Sequence, residues 1–221
     1  MFKQLFSALK GSESLDDAFA EFSQMLEHAN WMFEQANAVL RRDIEASDTR
    51  DALYERDKSI NALLRSIRRK IVRHLTINPG MDVAASMALM SIAKDAERIG
   101  DYCKNVFEVG QFYRQDFHIP RYHEPLEKMR REVEELFAAV REAFASSDSS
   151  AAKEALAAAR VIRAKSDAII EQLLLDDTSM ETHEAVAYSL LARHYKRVAA
   201  HLSNIATAVR GRLEDLDFVY D

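Results

Sequence analysis

Glu97 and Asp101 lie four residues apart in the segment Lys94 to Val106, a spacing that sets both carboxylates on one side of a helix. Like charges so placed cost an isolated helix about 0.2–0.5 kcal/mol, so the pair is relieved by a cation between them, whether an arginine, a lysine or a metal. Lys94 and Lys104 stand close enough in sequence for weak ion pairing on a solvated face. In the preceding periodic segment, Asp57 falls at the edge of the apolar stripe Leu53, Ile60 and Leu64, where an ionised carboxylate needs a partner such as Arg98. The chemistry offered is the holding of a cation by oxygen donors. The chain has no phosphate-cradling Gly-rich loop, no Gly-x-Ser-x-Gly, no Cys-x-x-Cys and no Glu-x-x-His. It therefore carries no visible apparatus for nucleotide hydrolysis, nucleophilic catalysis or carboxylate-bridged di-iron chemistry, and is expected not to be an enzyme.

The element that positions the acid pair occurs twice. Ala85, Leu89, Ile92, Ala96, Ile99, Cys103, Val106, Gly110 and Tyr113 step by three and four, as along the packed seam of a long helix. Shifted by 99 residues, the same phase returns in Tyr188, Leu191, Tyr195, Val198, Leu202, Ile205 and Val209. Arg98 then aligns with Arg197 and Asn105 with Asn204, whereas Glu97 aligns with Lys196 and Asp101 with Ala200. A duplicated fold with an acidic site in one half only is the expectation.

Five glycines and three prolines are too few for an all-β chain, and a hydrophobic content of 48% over 221 residues supports a substantial core. The net charge of -6 disfavours a general nucleic-acid binder. Cys103 is the only cysteine, which points to a reducing compartment, and no apolar run approaches the roughly 20 residues of a membrane span. A cytoplasmic protein follows as an expectation.

Periodicity predicts six helices. The first, capped by Ser14 with Asp17, carries Leu15 through Ile44 and ends near Ser47 and Asp48; the second turns Leu53, Ile60, Leu64, Ile67 and Ile71 inward and stops before Asn78-Pro79-Gly80. After the interruption His118 to Pro125 the pattern restarts, breaks again at Ser146 to Ser150, resumes from Ala155 to Leu173, and ends in a helix capped by Thr178 with Glu181. The fold class is all-α: two tandem antiparallel three-helix bundle repeats at residues 14–117 and 118–215, behind a leader at 1–13. In that leader Phe2, Leu5, Phe6 and Leu9 take one side and Lys3, Ser7 and Lys10 the rest, suited to an interfacial docking helix or to packing on its own bundle. The run Arg65 to His74 is a solvated face near a helix C-terminus or a patch for an acidic partner.

The words Glu97 to Asp101 (Glu-Arg-Ile-Gly-Asp) with Asn105, and Glu55 to Asn61 (Glu-Arg-Asp-Lys-Ser-Ile-Asn), resemble the PhoU family of bacterial phosphate-uptake regulators over nearly the whole chain. The resemblance implies a six-helix architecture and, through the family's Glu/Asp-x-x-x-Asp motifs, metal held by Glu97, Asp101, Asp57 and Asn61. Oxygen ligands of this kind suit iron, zinc, manganese or magnesium. In the second repeat Ala159 and Arg163 stand where the partner helix would supply acids, so metal is expected in the first repeat only; Asp167 with Glu171, and His194 and His201, occupy no motif position. By the same resemblance the partners are the ATPase of a phosphate ABC transporter and a sensor histidine kinase, with a homodimer as the assembly. If the amphipathic segment Met1 to Lys10 docks outward, the expected contact is peripheral, at the inner face of the membrane. Two other readings are an accessory subunit of a sodium- or proton-coupled phosphate carrier and, more distantly, a metal-storage protein or metal enzyme.

Overall fold

The computed structural model describes residues 13–175, 180–211 and 215–216. These form α1 (Glu13–Leu40), α2 (Ala46–Ile77), α3 (Val83–Phe112), α4 (Pro120–Ser146), α5 (Ser149–Leu175) and α6 (Thr182–Val209), with no strand among the described residues. The all-α expectation holds. α1, α2 and α3 pack on one another, as do α4, α5 and α6, and the two sets join through α3 against α6 and α1 against α4. Neighbouring helices run antiparallel where short turns connect them: Ser66 of α2 reaches Glu21 of α1, while Thr49 reaches Gln35.

Both seams face inward. Ala85, Leu89, Ile92, Ala96, Ile99, Cys103 and Val106 of α3 are buried, and so are Tyr188, Leu191, Tyr195, Val198, Leu202, Ile205 and Val209 of α6. Each large apolar side chain so buried contributes about 1.5–3 kcal/mol. Aromatic contacts make one core of the two sets, since the Phe33 ring lies 5.5 Å from Phe137 and 5.6 Å from Tyr195, whose hydroxyl donates to Asn37 Oδ1. Cys103 is buried within this core.

Several boundaries differ from the sequence pattern. α1 ends at Leu40, earlier than its apolar periodicity suggested, because Arg42 takes a left-handed φ of 62°; Ser47 and Asp48 belong to the first turn of α2 instead. α4 begins at Pro120 and contains Pro125, so the interruption is shorter than His118 to Pro125. Pro120 suits the start of a helix, where its missing N–H would lack a partner anyway. The break after α4 narrows to Ser147, at φ 54°, and Asp148, whose Oδ1 accepts from the amides of Ser150 and Ala151 and caps α5. α1 begins at Glu13, ahead of the expected cap Ser14, and α6 follows Glu181 with no side-chain cap bond. The segment Met1 to Lys10, the side chain of Ser14 and Thr178 lie outside the described residues.

Candidate functional site

The acids of the first repeat sit where α2 and α3 run side by side. α3 offers Glu97 and Asp101 from successive turns of one face, and α2 turns Asp57 toward them beside its buried Ile60. Gly100 permits that approach: a Cβ at this position would stand 3.2 Å from Ile60 Cδ1 and 3.9 Å from Asp57 Oδ1.

The cation between the helices is Lys104. Its Nζ lies 2.9 Å from Asp57 Oδ1 and 3.0 Å from Asp101 Oδ1, so one ammonium joins an acid of α2 to an acid of α3. The sequence offered Arg98 as the partner of Asp57, but Arg98 stays on its own helix, 3.2 Å from Asp101 Oδ2 and 3.8 Å from Glu97 Oε2. Glu97 is held by Lys94 at 2.6 Å. The three carboxylates thus meet three side-chain cations, and the cluster is neutral as built. Burial pulls the Lys104 pKa down, but the hydrogen bonds and charges of Asp57 and Asp101 outweigh it and leave the ammonium above the ordinary lysine value.

Asn61 adjoins this cluster as a donor. Its Nδ2 gives a hydrogen bond to the Asp57 carbonyl at 3.0 Å and approaches Asp57 Oδ2 at 3.5 Å, which steadies that carboxylate. Asp57 Oδ1 is buried, and the Lys104 ammonium is its contact. A buried oxygen of this kind suits a cation. No three His, Cys, Asp or Glu side chains converge among the described residues as a metal centre. An ion gathering all three carboxylates would have to displace Lys104 from Asp57 and Asp101 and also draw Glu97 away from Lys94 and Arg98.

The second repeat handles its charges differently. Lys196, aligned with Glu97, pairs across to Asp167 of α5, an exposed carboxylate. Ala159, Arg163 and Ala200 supply no carboxylate there.

Sequence reasoning missed a polar bridge between the repeats. Asp95 of α3 is buried and accepts from Asn204 Nδ2 at 2.8 Å, while His201 Nδ1 lies 2.7 Å away. His201 also stacks on Tyr102, with ring centroids 5.7 Å apart. Its signal was present, since Asp95 sits three residues after Ile92 and four before Ile99, an acid within the apolar seam. Nearer the other end of the α3–α6 seam a groove of about 980 Å³ is lined by Phe112, Tyr113, Val186, Leu190 and His194 among others. Burial, reinforced by Arg193, lowers the His194 pKa to about 4.

The description "PhoU domain" belongs to the family model that matches this chain, over residues 22–109 and again over 126–209. Among solved structures, PhoU from Pseudomonas aeruginosa superposes with a TM-score of 0.78 at 20% identity, covering 89% of this chain and 95% of that one. The phosphate transport system regulatory protein PhoU from Streptococcus pneumoniae gives a TM-score of 0.73 at 19% identity, covering 94% of this chain and 100% of that one. The search of curated proteins returned no match.

Proposed function

The chain belongs to the PhoU family, and from that premise we propose that it is a cytosolic, non-enzymatic regulator of phosphate uptake and phosphate-starvation signalling. The observation that carries this reading is the PhoU domain matched in both halves of the chain. In this role the bundle is an adaptor, working as a homodimer, that contacts the ATPase of a phosphate ABC transporter and a sensor histidine kinase through its helix faces. It favours the repressed state of the system when phosphate is ample.

The cluster at Asp57, Asn61, Glu97 and Asp101 serves this role by fixing α2 against α3. Lys104 does so in the structure, because its ammonium spans Asp57 and Asp101. Iron, zinc, manganese or magnesium would be held by Asp57, Glu97 and Asp101, with Asn61 steadying Asp57, and would supply a stronger fixed positive charge at the same place. Metal binding then competes with Lys104, and the released lysine alters the charge of the docking face.

One observation favours a second reading, an accessory subunit of a sodium- or proton-coupled phosphate carrier: the second repeat lacks the acid set of the first. A pull-down with the full-length protein from phosphate-replete cells separates the two. Recovery of the ABC transporter ATPase with a histidine kinase supports the adaptor reading, and recovery of a carrier alone replaces it. Capture of neither, by wild type and by the Glu97→Ala/Asp101→Ala variant alike, removes both.

A further inference from the structure

The α2–α3 hairpin ends in an apolar tip that the packed core leaves uncovered. Val72, Ile77, Met81 and Met87 are each more than half exposed, and Val83 is exposed as well. Exposed apolar side chains gathered at one end of a fold mark an interaction surface more often than a neutral exterior. Immediately behind them along α2, Arg65, Arg68, Arg69 and Arg73 face solvent and form no ion pair among the described residues.

Three acids at this end are already engaged. Lys70 lies 3.4 Å from Asp17 and 3.0 Å from Glu21 of α1, and His74, which the sequence placed in the basic run, is buried 3.2 Å from Asp82. The arginines therefore keep their charge for something outside the fold, in a chain whose net charge is -6. Helical spacing sets Arg65, Arg69, Val72, Arg73 and Thr76 along the outer face, opposite the buried Leu64, Ile67 and Ile71.

We propose that this hairpin tip is a peripheral docking surface for an anionic lipid membrane, with Ile77, Met81, Val83 and Met87 entering the headgroup region and Arg69 and Arg73, the arginines nearest the tip, meeting lipid phosphates. The placement suits a planar partner, because Ile77 ends α2, Met81 lies in the turn, and Val83 and Met87 begin α3, so the exposed apolar side chains gather at one end of a hairpin. The order also fits, because methionine and aliphatic side chains lead while long guanidinium side chains follow and reach back to the interface. No described helix is long and apolar enough to cross a membrane, so the contact is at the surface. α1 starts at this same end, and Met1 to Lys10, with Lys3 and Lys10 and no acid, precedes it in the chain. The proposal stands on these side chains and is independent of which transporter the protein serves.

The test is co-sedimentation of the full-length protein with vesicles of equal parts phosphatidylglycerol and phosphatidylcholine, against vesicles of phosphatidylcholine alone. Wild type should sediment with the anionic vesicles, weaken as salt is raised, and stay in solution with the neutral ones. Each arginine near an anionic surface is worth about fivefold in partitioning, so Arg69→Ala/Arg73→Ala should bind about 25-fold less. Met81→Ser/Met87→Ser should also lose binding while keeping its circular dichroism and melting temperature. Absence of sedimentation with anionic vesicles would hand the tip to an acidic protein surface and overturn the proposal. So would full binding by both tip variants together with loss in Leu5→Ser/Phe6→Ser, which would assign the contact to the N-terminal segment.

Discussion

Where α3 carries Glu97, Asp101 and Lys104, α6 carries Lys196, Ala200 and Ser203 at the same helical register, and where α2 carries Asp57, α5 carries Ala159. The apolar framework survives in both copies, so packing makes no demand for these charges. The acids and the lysine are absent together from the second repeat. That joint absence is what a mutually dependent cluster requires, because either partner alone at a half-buried helix contact would be left without compensation. The glycines follow the same division: Gly100 and Gly110 of α3 align with Ala199 and Val209 of α6. The first repeat keeps two residues that weaken a helix by about 1 kcal/mol each relative to alanine, at points where its neighbours come closest.

The largest effect that would test this division is at Gly110, where a Cβ would stand 2.9 Å from the Leu40 backbone nitrogen and 3.0 Å from its Cα. Backbone cannot yield as a side chain can, so Gly110→Ala should destabilise the protein by about 1–3 kcal/mol despite its better helix propensity. A rise in stability on denaturant titration would show that the α1–α3 approach is looser than described. Next comes Lys104→Ala, expected to cost about 1–2 kcal/mol because Asp57 and Asp101 lose a shared partner. The paired control, Lys196→Ala, should cost less than about 0.5 kcal/mol, since its partner Asp167 is exposed. Equal losses from the two lysines would erase the distinction between the repeats.

A third prediction concerns pH. His194, aligned with Asp95 in the first repeat, has its pKa lowered from 6.5 to about 4. Between those values the unfolded chain takes up a proton that the folded chain refuses, so stability falls as the pH drops through that window. Some solvent reaches the ring, and the contribution should be about 1 kcal/mol, not the full shift. His194→Gln should flatten the dependence of melting temperature on pH between 6.5 and 4; an unchanged slope would place the acid sensitivity elsewhere.

Much of the architecture was legible from residue types alone. The three-and-four spacing of Leu89, Ile92, Ala96 and Ile99 fixed which face of α3 is buried, and its recurrence in α6 marked the duplication. Helix ends were less legible: Arg42 ends the regular run with a left-handed backbone that its residue type does not announce, and Pro125 sits inside a helix it was expected to precede. In the cluster, the nearness of Asp57 to Asp101 was implied by the family resemblance of the two motifs, but the cation between them was not. Lys94, Arg98 and Lys104 are all within helical reach of an acid on their own helix. Only the approach of α2 at Gly100 decides that Lys104 alone also reaches Asp57. Asp95 was overlooked for a related reason, because its partners His201 and Asn204 are more than a hundred residues away in the chain.

In the function we propose, Lys104 holds the place that a metal would take. Titration of the metal-free, full-length protein with zinc or manganese, followed by calorimetry, tests that directly when wild type is compared with Lys104→Ala and with Glu97→Ala/Asp101→Ala. Lys104→Ala should bind the ion at least tenfold more tightly than wild type, and the double variant should lose binding. Equal affinity in wild type and Lys104→Ala, or ion binding that survives the loss of both acids, would contradict it.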